Sequence, residues 1–253
     1  MLKITTIAMF FGIGFSLDPT KFFFFDEKAQ LSTKHFNFFV RGRVDTVVVR
    51  SLANALENNY ARITDDLQTV PFDPITVNIY ASKRRYTQAT GNRFAGGHIE
   101  GPAILHFVEQ SESKVGSWKI ALHEFTHAVV LKLLIDVAPQ PFDRTIFDNK
   151  FKSMPVWLWE AVSVYEANQF REPKSLSYLN SASYPSLSEL SDRTNGKVYG
   201  CGFTIIEFIL QKYGKEKLIS LLANYGGVKL VLNVSDDEFS KEWYEFVKDK
   251  YLK

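Results

Sequence analysis

The chain has 253 residues, of which 45% are hydrophobic and 23% charged, and its formal charge is +2. That length and balance suit one large globular domain or two intimate lobes with a sizeable core. The near-neutral charge, with no basic stripe, argues against nucleic acid as a partner. The single cysteine, Cys201, excludes an intramolecular disulfide and a cysteine-rich zinc cluster.

At the N-terminus, Met1-Leu2-Lys3 precedes an uncharged, mostly apolar run from Ile4 to Leu17. This run is too short for a membrane span but has the length of a signal-peptide core, with Gly14 and Ser16 as small residues near its end. A second apolar run, Phe22 to Phe25, is equally consistent with a buried strand pair. Residues 1–25 are therefore set apart as either a signal peptide or an apolar N-terminal segment. Localisation stays open between the cell envelope or outside and the cytoplasm.

His35 to Val40 alternates as a strand does. Asp45 to Leu67 has helical periodicity through Val48, Leu52, Leu56, Tyr60 and Ile63, and Pro71 and Pro74 mark the break after it. Ile75 to Tyr80 is a second strand, and Arg84 to Thr90 a short helix ended by Gly91. Ala95 to Pro102 reads as a turn-rich loop feeding a third strand, Ala103 to Val108. Lys119 to Leu134 is a long apolar helix, and 135–154 is irregular. Pro155 opens a helix through about Phe170, since proline suits a first helical turn. Helices follow over Tyr199 to Tyr213 and Lys215 to Asn224, stopped by glycines. Ser235-Asp-Asp-Glu238 is a capping box that starts a last helix through Tyr251. Strands crowd the first half and helices fill the second. The expected fold class is α+β, a single two-lobed domain over 26–253 with an α/β lobe to about 134 and a helical lobe from 135, and no stable membrane span.

The chemistry concentrates in the helix KIALHEFTHAVVLKLL, Lys119 to Leu134. With five histidines and fifteen glutamates, a chance HExxH arises in about half a percent of such chains. On a helix, residues four apart differ by about 40° in direction, so His123 and His127 face one side. Two imidazoles so placed can hold one zinc ion at about 2 Å each. Glu124 lies one step along and can take a proton from a water whose pKa the metal lowers toward about 7. Ile120, Leu122, Ala128, Val129 and Leu131 make the helix apolar nearly all round, so it should be buried. Lys132 points roughly 180° from His123, toward solvent. Buried histidines and a buried glutamate are costly unless paired or bound to metal. The plainer alternative is a pair of satisfied core histidines beside a solvated glutamate.

A catalytic zinc needs a third protein ligand and an open position. His35, His98 and His106 all lie upstream, and no HxxGxxH follows His127. A carboxylate from the segment PVWLWEAVSVYE is then the candidate. Glu160 sits among tryptophans, valines and alanine. Glu166, near Asn168 and Gln169, reads as a solvated face.

HEFTHAVV, PVWLWEAVSVYEA and VYGCGFTIIEFILQKYGKEKL together resemble the peptidase MA-like family of gluzincins, thermolysin-clan zinc peptidases, over about residues 34 to 251. The resemblance implies a zincin-like fold: an N-terminal mixed sheet lobe carrying the active-site helix, and an all-helical C-terminal lobe. It implies zinc on His123, His127 and Glu160, with Glu124 as general base. Tyr199, aligned with a tyrosine recurrent in the family, would be the donor to the developing oxyanion; the alternative is a core aromatic. Ala161 and Ser163 stand where the family often has glycine and alanine. Val164 stands where thermolysin has an aspartate that orients a histidine. In this clan an edge strand binds the substrate backbone by strand addition, a role expected of Ala103 to Val108. Ala95-Gly96-Gly97 would let substrate approach closely or would form a turn, and Glu100 is a minor candidate for gripping a substrate amino terminus.

The expected activity is thus that of a monomeric zinc metallopeptidase acting on a peptide or protein substrate. Two rivals belong to other classes: a non-catalytic, zinc-stabilised binding protein, and an envelope-anchored interaction protein using its aromatic N-terminus.

Overall fold

The computed structural model describes residues 29–109, 117–180 and 184–253. The expectations for the N-terminal segment lie outside the described residues. The architecture is α+β, with a small mixed sheet of five strands accompanied by helices. No helix among the described residues is long and apolar enough to cross a membrane. Two compact units divide the described chain, one running through Asp65 and over Thr69–Lys132, the other comprising 66–68 and Leu133–Lys253.

The first unit holds the sheet. Its strands are β1 (Leu31–Ser32), β2 (Phe36–Arg41), β3 (Ile75–Tyr80), β4 (Gly97–Ile99) and β5 (Ile104–Val108). They lie in the order β1-β2-β3-β5-β4. β2, β3 and β5 run parallel, and β1 and β4 pair antiparallel at the two edges. Parallel neighbours need crossover connections, and α1 (Thr46–Asp66) and α2 (Lys83–Thr90) lie in these. Alternation sends Phe36, Phe38, Val77, Ile79, Leu105 and Phe107 to one face, where all are buried. That face is sealed by rings from two helices. Phe36 meets Tyr60 of α1 at 5.9 Å and Phe125 of α3 (Ser117–Asp136) at 5.4 Å between ring centroids.

Ala95 to Pro102, read as a loop, contains β4. Three residues opening on glycine are too few to show a period of two, and only their pairing with Leu105–Phe107 reveals them.

The second unit is helical. It contains α4 (Arg144–Phe151), α5 (Val156–Glu166), α6 (Leu187–Leu190), α7 (Val198–Lys212), α8 (Lys215–Ala223), α9 (Val228–Leu232) and α10 (Asp236–Val247). α4 falls in the stretch read as irregular. Asp143 caps it by accepting from the Ile146 amide at 2.9 Å, and Phe147 and Phe151, four apart, are its only buried residues. Pro155 is the N-cap of α5, extended at φ −69° and ψ 137°, and not its first helical residue. The helix also stops short of Phe170, because Asn168 takes a left-handed φ of 51°. α10 starts at Ser235 with both halves of the capping box formed, and a π-helical turn, Lys248–Leu252, follows it.

α5 and α7 approach very closely. A Cβ built on Gly202 of α7 would stand 2.9 Å from the Ala161 Cα and 3.0 Å from its Cβ. The small residue after Glu160 is therefore one half of a helix crossing whose other half is glycine. Gly202→Ala should cost about 1–3 kcal/mol of overpacking, partly offset by alanine's better helix propensity. Thermal melting checks this, and an unchanged midpoint would show that the helices have room to part.

Candidate metal centre

α3 explains how charged side chains come to sit inside. Its residues Ala121 to Leu131 are buried without a break, as expected for a helix apolar on all sides. Lys132, expected in solvent, is half-buried with its ammonium 5.0 Å from the centre of the Phe72 ring. Within this run His123 is 8% exposed, Glu124 5% and His127 1%. The two imidazoles lie on the same side, with ring centroids 4.6 Å apart and planes at 89°. Glu160, 2% exposed, lies on α5, where Trp157 to Val164 are all buried.

His123, His127 and Glu160 each offer one ligand atom, and these atoms lie within 4.8 Å of one another. Among the described residues no other group of three histidine, cysteine or acidic side chains is placed to hold a metal ion. Ligands of a tetrahedral ion at about 2.1 Å are roughly 3.4 Å apart, so adjustments of about an ångström would close this set on a metal. Two imidazoles and a carboxylate are a donor set for a divalent cation, and three protein donors leave a fourth position for water or substrate.

Glu166 departs from expectation. It is 1% exposed, not solvated, because α5 is buried from Trp157 through Val164 and again at Glu166 itself. It is nonetheless not part of the ligand group. Val164 is a fully buried core residue. Tyr165 packs its ring against Phe170 at 5.9 Å. Tyr199 is the second residue of α7 and is half-buried.

The other three histidines have structural places. His35 donates through Nδ1 to the Glu57 carboxylate at 2.8 Å and stacks flat on Tyr60 at 3.6 Å. The Thr33 and His35 hydrogen bonds hold the Glu57 carboxyl below its ordinary value, against the upward push of burial. His106 is bonded on both ring nitrogens, to the Tyr80 hydroxyl at 3.0 Å and to Glu100 at 3.2 Å. His98 lies opposite His106 across the β4–β5 pair, with ring centroids 6.3 Å apart. Burial, then the neighbouring His106, pushes the His98 imidazole down to about 4, with Glu100 opposing. Glu100, considered as an anchor for a substrate amino terminus, is thus engaged with His106.

The strand expected to receive substrate is corrected. β5 is interior, bonded to β3 on one side and β4 on the other, so it has no free edge. The edge belongs to β4. Val108 N donates to Gly96 O at 3.0 Å and Glu100 N to Ile104 O at 2.8 Å. This register makes residues 96, 98 and 100 the bonded positions of β4, so the N–H and C=O of Gly97 and Ile99 point to the other side, where among the described residues no strand pairs with β4 and where Gly97 is itself buried.

β4 also touches Glu124. A Cβ on Gly97 would fall 2.7 Å from Glu124 Cγ, 3.0 Å from its Oε1 and 2.9 Å from Ile120 Cγ2. The glycine expected to admit substrate instead admits this carboxylate. Tyr86 of α2 is the second neighbour. It is fully buried, and among the described residues its hydroxyl has no partner within hydrogen-bond geometry. Burial, then the charge of Glu124, drives its phenol far above the ordinary value. Sequence reading missed Tyr86, and it gave Ala95-Gly96-Gly97 to substrate approach or a turn and not to a contact with Glu124.

No protein-family model matches the chain, and no curated protein matches it.

Proposed function

We propose that the protein is a zinc-dependent metallopeptidase. The observation that carries this reading is the buried His123, His127 and Glu160 group with Glu124 beside it on the same helix. Zinc, when bound, supplies a Lewis acid that lowers the pKa of a coordinated water toward about 7 and polarises a carbonyl.

The chain's own residues account for the rest. His123, His127 and Glu160 would hold the metal, and their burial would limit competition from bulk water. Glu124 is the general base: its carboxylate accepts a proton from the attacking water and delivers it to the leaving amine. An extended peptide would pair with the outward N–H and C=O groups of Gly97 and Ile99, adding a strand to β4. This brings its backbone to the residue against which Glu124 lies. Tyr199 is assigned the role of donor to the oxyanion that develops as the carbonyl is attacked.

Metal content after dialysis, measured beside turnover of a peptide library, tests the reading. The wild-type chain should retain about one zinc ion and cleave peptides. Glu160→Gln should weaken metal binding by more than the 10–100-fold typical of losing an outer-shell partner, whereas Glu166→Gln should keep its metal. The reverse pattern would overturn the ligand assignment. Metal retained with no hydrolysis of any peptide would favour a binding protein built on the same site.

A further inference from the structure

We infer that Gly97 is a positioning residue for the Glu124 carboxylate, and that the lack of a side chain at this one strand position sets where the base stands. The inference rests on the proposed peptidase reading for its catalytic consequence, but its geometry does not.

The contact is specific in three respects. First, a Cβ at 97 would come within 2.7 Å of Glu124 Cγ and 3.0 Å of Oε1. Both the stem and one oxygen of the carboxylate therefore occupy the space that a side chain at 97 would take. Second, neither partner can easily yield. Gly97 is held in register opposite Phe107, Glu124 is 5% exposed, and the helix around it is buried from Ala121 to Leu131. Ile120, the third atom in the way at 2.9 Å, is half-buried and has more room to turn. Third, the N–H and C=O of Gly97 face away from β5, toward the side of the sheet on which no described strand pairs. One face of this residue thus receives the carboxylate, and the side turned from β5 is the place where an added strand would pair. A methyl group there would push the carboxylate away without altering any backbone group that a peptide would bond. The expected signature is a fall in kcat with little change in KM, because a misplacement of about 1 Å can cost about 100-fold in rate.

The test is a double-mutant cycle in the full-length chain, combining Gly97→Ala with Glu124→Ala, read by thermal melting, metal content and peptide turnover. In the wild-type background Gly97→Ala should lower the melting midpoint, keep the metal, and reduce kcat about 10- to 100-fold with KM within about twofold. In the Glu124→Ala background the same substitution should lose most of its effect on the midpoint and should not lower residual turnover further. Should Gly97→Ala alone fail to fold, recovery of folding in the double variant supports the contact, and continued failure overturns it. Equal destabilisation in both backgrounds, or unchanged kcat in Gly97→Ala, also overturns the inference. A wild-type chain that cleaves nothing removes the catalytic role and the peptidase reading together, yet melting coupling between the two positions would still report the contact.

Discussion

Glu124→Gln should lower peptide turnover by about 100- to 10,000-fold while leaving metal content unchanged. Glutamine matches glutamate in shape, so the space against Gly97 is filled as before and the 5% exposure of the site is preserved. What is lost is the ability to take and return a proton. Because the position is buried, no buffer base from solvent can readily replace it. Zinc analysis and steady-state kinetics on the same preparation decide the matter. If turnover persists within a few-fold of wild type, Glu124 is not the base. If metal is lost as well, the residue belongs to the ligand set and the division of roles is wrong.

The second large effect is on stability in acid. The folded chain holds His98 at about 4, against an ordinary 6.5. A depressed histidine means the folded state resists a proton that the unfolded chain accepts. Stability should therefore begin to fall as pH drops through about 6.5 and continue falling to about 4, at about 1.4 kcal/mol per unit. Over that window the loss is about 3 kcal/mol. The groups around the ring are His106, whose positive charge would reinforce the effect, and Glu100, which opposes it. His98→Gln should flatten this slope. Glu57 acts with the same sign but lower down: its stabilisation is present above its ordinary value of 4.5 and is lost only below it. Urea unfolding at pH 7.5 and 4.5 for both chains provides the measurement, and parallel slopes for wild type and His98→Gln would refute the assignment.

How much of this was legible in sequence follows from where the information sits. The histidine pair and Glu124 were readable because helical spacing places them within one turn, and the apolar residues on all sides announced burial. The burial of Glu160 was readable from its apolar neighbours. Glu166 was misread from the polar residues that follow it, which belong to the helix end and not to the face it occupies. Long periodic elements such as α1 and α3 announced themselves, whereas β4 could not, since a three-residue strand has no period. Its edge position depends on pairing with residues that follow it in the chain, and this is why β5 was mistaken for the edge. The role of Gly97 was beyond reach for a related reason: an absent side chain has meaning only once its neighbour in space is known.

The brevity of β4 has a further consequence. An open strand edge invites other copies of the same chain to pair with it, and long flat edges are where sheet proteins aggregate. Only Gly97–Ile99 form this edge strand, with Gly101 taking a left-handed φ of 69° just beyond and the charged Glu100 between. Such an edge presents the outward groups of only two residues, too few to hold an indiscriminate partner by backbone bonds alone. A peptide that docked there, as proposed, would have to gain the remainder of its affinity elsewhere, so the shortness of the strand would act as a filter for guests that bring a second attachment.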